Sequence, residues 1–300
     1  MTAILFDQPL DDDKRRERLY AGDILVYSAN EHSMALVELA REMIHEAFPG
    51  GGDPALAQFE HSVEDYAQIL MKLKPAFIHH PECKKIIPRL FESLGCDLDQ
   101  MYFDVPRMRT STSDDFLTSG IAFAFHPHRD TWYSAPMSQI NWWLPIFDIE
   151  AGNAMAFHPK YFDAPVKNSS ETYNYQEWNA TSRFTVDQNV KTDTRPQPKA
   201  QEEVELEPSL VLVPPPGAMI LFSAAHLHSS IPNSTGRTRF SIDFRVVHEG
   251  DLRAERGAEN VDSRCTGSAI GDYLCASTLE HLPEDVQAAY LPGHPQSVKI

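Results

Sequence analysis

Two short segments of this chain place histidines and a carboxylate at spacings that could bind a metal ion. The first is FHPHRDTW, in which His128 and Asp130 are two residues apart. Residues two apart on a strand point to the same face, so both side chains could reach one metal at a strand end. The second is LFSAAHLHSSIPNSTGRTRFSIDFR, a β-like run that carries His226 and His228 before a turn. Either of these histidines could complete the group.

Two histidines and one carboxylate are the ligand set of non-haem iron(II) oxygenases, which keep open positions opposite the three ligands. Neutral imidazoles and one carboxylate hold iron(II) without filling its coordination sphere. Two of the open positions can then take a chelating 2-oxo acid, and the third can take oxygen. A pattern of the H-x-D type is weak evidence when it stands alone, because short patterns arise often by chance.

The second segment carries a more specific match. The sequence resembles the phytanoyl-CoA dioxygenase-like branch of the iron(II)/2-oxoglutarate oxygenases over roughly residues 120–248. Members of that superfamily have a distal histidine about a hundred residues after H-x-D, commonly in H-G-S-x-x-N, and an arginine eleven residues further on. This chain has H-S-S-I-P-N from His228, 98 residues after Asp130, and Arg239 lies eleven residues later. Ser229 replaces the usual glycine.

The resemblance implies a reaction and its cofactors. It implies that His128, Asp130 and His228 bind iron(II), and that Arg239 binds the far carboxylate of 2-oxoglutarate. The expected reaction is oxidation, as hydroxylation, of an unactivated C–H bond of a small molecule by O2, with release of succinate and CO2. Related halogenases have a small residue where this chain has Asp130, so the carboxylate predicts oxygen chemistry. The alternative is a cupin-type metalloenzyme, a dioxygenase or an isomerase, that does not use 2-oxoglutarate.

Neighbouring residues are candidates for the rest of the site. A guanidinium binds a carboxylate in a bidentate manner that lysine does not match. Arg237 and Arg245 are alternatives to Arg239 in that role, and His226 is expected as a hydrogen-bonding or packed histidine. Further candidates for co-substrate binding are Ser241, Gln139 and Asn141. Candidates for substrate contact are Trp132, Tyr133, Trp143 and His158.

The pattern of apolar residues predicts two kinds of structure along the chain. Residues 1–95 are expected to be mostly helical after an irregular arm, with helices from Glu31 to about Phe48, Pro54 to Lys74 and His80 to Leu94. After Gly95, seven or eight strand-like runs rich in aromatic and β-branched residues alternate with turn signals. These runs predict a mainly β fold with flanking helices, built on a double-stranded β-helix of the jelly-roll or cupin-like type.

We expect one oxygenase domain over residues 1–300, with the jelly-roll core at 96–250. A polar stretch at about 163–208 interrupts the core, and a loop of this length is usually functional, so part of it is expected to act as a lid. A C-terminal extension follows at 251–300, in which the sequence shows no readable chemistry.

Composition excludes several classes of function. The formal net charge of −17 argues against binding to nucleic acid or to an anionic membrane surface, both of which need a basic face. The N-terminus lacks a secretory pattern, and the four cysteines form no C-x-x-C pair. We therefore expect a cytoplasmic protein with free thiols, whose partners are a small-molecule substrate and O2. The sequence leaves its oligomeric state open.

Overall fold

Two β-sheets and a group of N-terminal helices make up the computed structural model, which describes residues 2–117, 126–182 and 195–293. The predicted combination of β-sheet with flanking helices is confirmed in this part of the chain. The strands are β1 (Ile4–Phe6), β2 (Ile24–Tyr27), β3 (Met101–Phe103), β4 (Arg107–Ser111), β5 (Ile140–Pro145), β6 (Met155–Phe157), β7 (Leu210–Leu212), β8 (Met219–Ser223), β9 (His228–Ser230), β10 (Arg239–His248) and β11 (Leu274–Cys275). The α-helices are α1 (Asp12–Tyr20), α2 (Glu31–Ala47), α3 (Val63–Ile78), α4 (Cys83–Ser93), α5 (Tyr175–Thr181), α6 (Glu249–Arg253) and α7 (Glu284–Tyr290).

The larger sheet has the order β1-β2-β8-β5-β10-β3-β11, and β4 also pairs with β10. The smaller sheet has the order β7-β6-β9. Strand β10 is the longest and lies in the middle of the larger sheet, where it pairs antiparallel with β5 on one side and with β3 and β4 on the other. The residues that β10 presents on its two faces therefore determine much of the interior.

One face of the larger sheet is covered by the N-terminal helices. Phe240, Ile242 and Phe244 of β10 belong to the same apolar cluster as buried residues of α2, α3 and α4. The ring of Phe91 on α4 lies 5.2 Å from the ring of Trp142 and 5.9 Å from that of Phe244. Burial of a large apolar side chain contributes about 1.5–3 kcal/mol, so this aromatic cluster holds the helices on the sheet.

The opposite face of the larger sheet carries the alternate residues of β10. Because side chains alternate along a strand, Arg239, Ser241, Asp243 and Arg245 share this face, and Trp143 and Asn141 of β5 pair with Asp243 and Arg245. Part of this face packs on the smaller sheet through an apolar cluster that joins Trp143 to Met155 and Phe157. A row of polar side chains is thus placed between the two sheets.

Two predicted elements differ from the structure. The arm before Glu31 was expected to be irregular except for one strand-like stretch, DILVYSA; β2 lies in that stretch, but β1 and α1 were not predicted. The helix predicted from Pro54 to Lys74 is divided into a 3-10 helix, Pro54–Phe59, and α3. The division lies at Ser62, whose side chain accepts a hydrogen bond from the backbone N–H of Asp65 and starts a new helix.

Other predicted elements fall partly outside the described residues. Most of the predicted strand before His128 lies in 118–125, and residues 183–194 of the predicted lid are also outside. Within the described residues, no helix combines the length and hydropathy needed to span a bilayer.

Candidate metal centre

His128, Asp130 and His228 lie together where the two sheets face each other. Each side chain is buried and offers one ligand atom, and these atoms all lie within 4.8 Å of one another. No other group of three or more histidine, cysteine or acidic residues in the described ranges has this arrangement. The structure therefore brings together the three residues that the sequence analysis selected as metal ligands.

Backbone pairing sets the positions of the two histidines. His228 begins β9, and its N–H and carbonyl exchange hydrogen bonds of 3.0 Å with the carbonyl and N–H of His128. The centroids of the two imidazole rings are 4.4 Å apart. His128 and Asp130 do not share a regular strand as predicted, because Asp130 already begins the 3-10 helix Asp130–Tyr133.

The two imidazoles are oriented in the same way. The Nδ1 of His128 donates to the carbonyl of His126 at 2.8 Å, and the Nδ1 of His228 donates to the carbonyl of His226 at 3.0 Å. This leaves Nε2 as the lone-pair nitrogen of both rings, and the Nε2 of His128 lies 3.4 Å from Asp130 Oδ1. Burial, together with the neighbouring His128, lowers the pKa of His228 to about 4, so this ring is neutral at pH 7.

Asp130 is held through its second oxygen. Oδ2 accepts a 3.3 Å hydrogen bond from Gln139 Nε2 and lies 3.4 Å from Arg245 Nε. Burial raises the pKa of the Asp130 carboxyl, but the positive charge of Arg245 outweighs this effect and holds the pKa well below its usual range. Asp130 is therefore a carboxylate at neutral pH.

Arg129 and Asp262 anchor the loop between the ligands, and sequence reasoning missed both. Arg129 is almost completely buried and donates from Nε to Asp262 Oδ2 at 3.0 Å and from Nη2 to the carbonyl of Ala164 at 2.9 Å. Asp262 also accepts from the indole N–H of Trp132 at 2.8 Å. The position of Arg129 next to Asp130 could have marked it as a residue of the site. Its partner Asp262 could not be identified, because it is 133 residues away and no local pattern joins the two.

Arg239 and Ser241 form a buried polar pair on the same sheet face. The Arg239 guanidinium donates from Nη1 to the carbonyl of Asn153 at 2.9 Å and from Nη2 to Ser230 Oγ at 3.5 Å. Among the described residues, neither Arg239 Nε nor Ser241 Oγ has a hydrogen-bond partner, although both atoms are buried. Burial lowers the pKa of Arg239 to about 10, with Asp243 opposing the shift.

In the part of the chain that the structure describes, no carboxylate forms an ion pair with the Arg239 guanidinium. Asp243 accepts two hydrogen bonds from Arg109, of 2.7 and 3.1 Å, and is thereby satisfied. Leaving a buried donor unsatisfied costs about 1–3 kcal/mol. The site therefore fits an anionic ligand such as a carboxylate, which would accept from Arg239 and Ser241 together. Ser230, two residues after His228 on β9, links this pair to the three-residue group.

The other residues predicted for the site have different surroundings. Gln139 contacts Asp130, and its Nε2 also donates to Asn141 Oδ1 at 2.8 Å, so these two side chains bind each other beside Asp130. Trp143 packs against the Arg239 guanidinium at 5.7 Å. Trp132 is completely buried beside Val166 and Leu227, so its position indicates packing rather than substrate contact.

Tyr133 and His158 lie close to the histidine pair. The ring of Tyr133 lies edge-on to that of His128 at 5.6 Å, and its hydroxyl donates to the carbonyl of Pro198 in the predicted lid at 3.2 Å. His158 is buried, with Nδ1 bound to the carbonyl of Leu206 and Nε2 3.1 Å from Ser229 Oγ. Tyr133 is thus placed for a role at the opening of the site, whereas both ring nitrogens of His158 are engaged.

The histidine and arginine alternatives also have defined positions. His226 turns away from the group, because its Nε2 donates to the carbonyl of Gly22 at 3.0 Å and its ring packs on Phe162. Arg237 forms an ion pair with Asp53 and is far more exposed than Arg239. Arg245 is the alternative that does reach the group, where it faces Asp130 rather than Ser241.

No family model matches the chain, and no curated protein matches it. Solved structures that resemble it include the apo form of the non-haem monooxygenase ThoJ, with 14% identity over 82% of this chain and 81% of that one and a TM-score of 0.43. EvdO2 from Micromonospora carbonacea var. aurantiaca, complexed with 2-oxoglutarate, has 11% identity over 80% and 91% and a TM-score of 0.45. The epimerase SnoN, in complex with Fe3+, alpha ketoglutarate and nogalamycin RO, has 16% identity over 79% and 85% and a TM-score of 0.40. At this distance, none of the three assigns a fold or an activity to the chain.

Proposed function

We propose that the protein is a non-haem iron(II) oxygenase that uses 2-oxoglutarate as co-substrate. The observation that carries the proposal is the combination of two sites on facing strands. One is the buried group of His128, Asp130 and His228. The other is the buried pair Arg239 and Ser241, whose Nε and Oγ have no hydrogen-bond partner among the described residues. A ligand set with open positions, beside a cation that needs an anion, suits a metal-chelating dicarboxylate.

In this proposal each residue has a distinct task. His128 and His228 donate from Nε2 to iron, and their Nδ1–H groups hold the rings in that tautomer through backbone carbonyls. Asp130 supplies the single negative charge through Oδ1. Arg239 binds the far carboxylate of 2-oxoglutarate, and Ser241 donates its hydroxyl to the same carboxylate.

When bound, iron(II) and 2-oxoglutarate would supply oxidation of an unactivated C–H bond by O2, with succinate and CO2 as products. The protein orients the substrate carbon and excludes water. Tyr133 lines the opening of the site together with His126, Gln197 and Lys199, so the substrate would enter between the H-x-D segment and the remaining part of the lid. Hydroxylation is the outcome that we propose.

We further propose that residues 1–300 act as one oxygenase domain with a double-stranded β-helix core. Facing sheets that share the candidate site support this, as does the pairing of His128 with β9. We also propose that the chain belongs to the phytanoyl-CoA dioxygenase-like branch, and the sequence match around His228 and Arg239 supports this. A cytoplasmic location and a small-molecule substrate are parts of the same proposal.

The test is an anaerobic titration of the metal-free protein with iron(II) and then with 2-oxoglutarate, followed by visible spectroscopy. A chelated iron–2-oxo acid complex has a weak charge-transfer band, and we expect this band in the wild type. Arg239→Ala should bind iron but need far more 2-oxoglutarate to form the band. The matched control is Arg237→Ala, which removes an arginine two residues away that pairs with Asp53 and should leave the titration unchanged.

The possible results separate the candidates. Iron binding without a band would favour a cupin-type metalloenzyme that does not use 2-oxoglutarate. Failure of the wild type to bind iron would refute the metal centre itself.

A further inference from the structure

The C-terminal segment, which showed no chemistry in the sequence, contacts the candidate metal centre through Tyr273. This side chain is almost completely buried, and its hydroxyl donates to Gln139 Oε1 at 2.7 Å. Gln139 lies just before β5 and is 134 residues away in sequence. A residue from 251–293 therefore contacts the layer of side chains immediately behind Asp130.

The amide of Gln139 has a fixed orientation. Its Oε1 accepts from Tyr273, and its Nε2 donates to Asn141 Oδ1 at 2.8 Å and to Asp130 Oδ2 at 3.3 Å. Rotation of the amide by 180° would place Oε1 against the oxygens of Asn141 and Asp130, which is unfavourable. The Asp130 carboxylate can only accept, so it keeps Nε2 on its own side, and the Tyr273 hydroxyl anchors the opposite end of the amide by donating to Oε1.

The orientation of the Gln139 amide decides which carboxylate oxygen of Asp130 faces His128. With Oδ2 engaged by Gln139 and close to Arg245 Nε, the carboxylate directs Oδ1 toward His128 Nε2, which is 3.4 Å away. A carboxylate held in this way can give a metal one oxygen. A carboxylate that rotated freely could give two and would occupy a coordination position that the reaction needs.

We propose that Tyr273 and Gln139 form a positioning relay, the Tyr273–Gln139 relay, that holds Asp130 as a one-oxygen metal ligand. The relay rests on the proposed function only in requiring that a metal binds to His128, Asp130 and His228. Tyr273 and Gln139 act through Asp130 and do not contact the metal. The C-terminal segment is thereby a functional part of the metal centre.

The test measures metal binding rather than turnover and uses cobalt(II) as a redox-stable probe of the site. Titration of the metal-free protein gives the dissociation constant, and the visible spectrum of the bound cobalt(II) reports its coordination. Removing a group that orients a metal ligand typically weakens metal binding 10- to 100-fold. We therefore expect Tyr273→Phe to raise the cobalt(II) dissociation constant about 10-fold or more and to change the spectrum.

Tyr290→Phe is the matched control. Tyr290 lies in the same buried apolar cluster as Tyr273 and also donates a hydrogen bond, in its case to the carbonyl of Leu252 at 2.9 Å. It has no hydrogen bond to Gln139 or Asp130 in the described structure. Tyr290→Phe should therefore lose similar stability in thermal unfolding but keep the wild-type cobalt(II) affinity and spectrum.

A double-variant comparison identifies the route of the effect. Gln139→Met removes the amide, keeps a side chain of similar length, and should weaken cobalt(II) binding as Tyr273→Phe does. If Tyr273 acts through Gln139, Tyr273→Phe in the Gln139→Met background should cause no further loss. Gln139→Met also carries the test by itself should Tyr273→Phe fail to fold.

The outcomes are distinct. Wild-type affinity and spectrum in Tyr273→Phe or in Gln139→Met would overturn the relay while leaving the metal centre in place. Additive losses in the double variant would overturn the route through Gln139. A wild-type protein that binds no cobalt(II) would overturn the proposed function and the relay with it.

Discussion

Arg245 and Asp130 form an ion pair in which Nε of the guanidinium lies 3.4 Å from Oδ2 of the carboxylate. Arg245 also pairs with Asp104, so one arginine connects the Asp130 carboxylate to the residue that follows β3. In the metal-free protein Arg245 is the cation that balances the buried charge on Asp130. A bound metal ion would supply a second source of positive charge at the same carboxylate.

We therefore predict that Arg245→Met destabilises the metal-free protein more than the metal-bound one. Breaking a buried ion pair leaves an uncompensated charge and costs about 3 kcal/mol, whereas a bound divalent ion compensates Asp130 directly. Thermal unfolding with and without cobalt(II) should show a larger metal-induced rise in Tm for Arg245→Met than for the wild type. Arg107→Met is the control, because Arg107 shares Asp104 but has no ion pair with Asp130. Equal metal-induced rises in all three proteins would contradict this prediction.

His128→Ala and Asp130→Ala should each abolish metal binding and the formation of succinate from 2-oxoglutarate. Each change removes one of three ligand atoms from a site whose atoms lie within 4.8 Å of one another. The measurement is cobalt(II) titration together with succinate release. His126→Ala is the control for cobalt(II) binding, since it keeps the backbone carbonyl that accepts from the His128 ring. Full turnover in both ligand variants would show that the assignment is wrong.

Arg239→Lys and Ser241→Ala should weaken 2-oxoglutarate binding to different extents. Lysine keeps the charge but loses the two parallel donors, so we expect a 10- to 100-fold rise in the apparent dissociation constant. Ser241→Ala removes one hydrogen bond to a charged group, worth about 1.5 kcal/mol, or roughly 10-fold. Thr110→Val is a control that removes another buried hydroxyl, because Thr110 pairs with Phe240 on the helix-covered face. An effect of Thr110→Val as large as that of Ser241→Ala would argue against the assignment.

Lys74 gives a prediction about pH and stability. Burial and the nearby Arg109 lower the pKa of this α3 lysine from 10.5 to about 7, with Asp243 opposing the shift. Between pH 10.5 and 7 the unfolded chain binds a proton that the native chain does not, so the free energy of unfolding falls as pH falls, by up to ~1.4 kcal/mol per pH unit. Above pH 10.5 Lys74 is neutral in both the native and the unfolded chain and does not lower the free energy of unfolding. The loss of stability accumulates as the pH falls and is complete below about pH 7, where the native chain also binds the proton.

Lys74→Met should remove this slope and make the protein more stable at pH 7. Urea unfolding at pH 7 and pH 9.5 measures the difference. Lys72→Met, at an exposed position on the same helix, should leave the slope unchanged. Parallel pH profiles for the wild type and Lys74→Met would show that Lys74 does not titrate in this range.

The sequence predicted the residues of the candidate centre better than their surroundings. His128, Asp130, His228 and Arg239 stood in short patterns with fixed spacing, and the structure places the first three together and Arg239 beside Ser230. The spacing from His228 to Arg239 corresponds to a turn held by Asn233, whose side-chain N–H groups donate to the carbonyls of Ser111 and Arg237. The spacing from His228 to Arg239 can be recognised in the sequence because a local turn produces it.

Contacts between distant segments could not be predicted. Gln139 was expected to bind the co-substrate, but its amide is engaged by Tyr273 and Asp130. Trp132 was expected at the pocket, but Asp262 draws its indole N–H into the core. In both cases the partner comes from a C-terminal segment without a regular apolar period, and no spacing in the sequence encodes the contact.

The single strand β10 carries Arg239 and Ser241 near one end and Arg245 near the other, all on one face. A one-residue insertion or deletion between them would turn Arg245 toward the helices and put Phe244 or Val246 in its place, while Arg239 stayed where it is. A single insertion or deletion would therefore separate the Arg239–Ser241 pair from the ion pair between Arg245 and Asp130. This strand can therefore diverge by substitution but not by change of length.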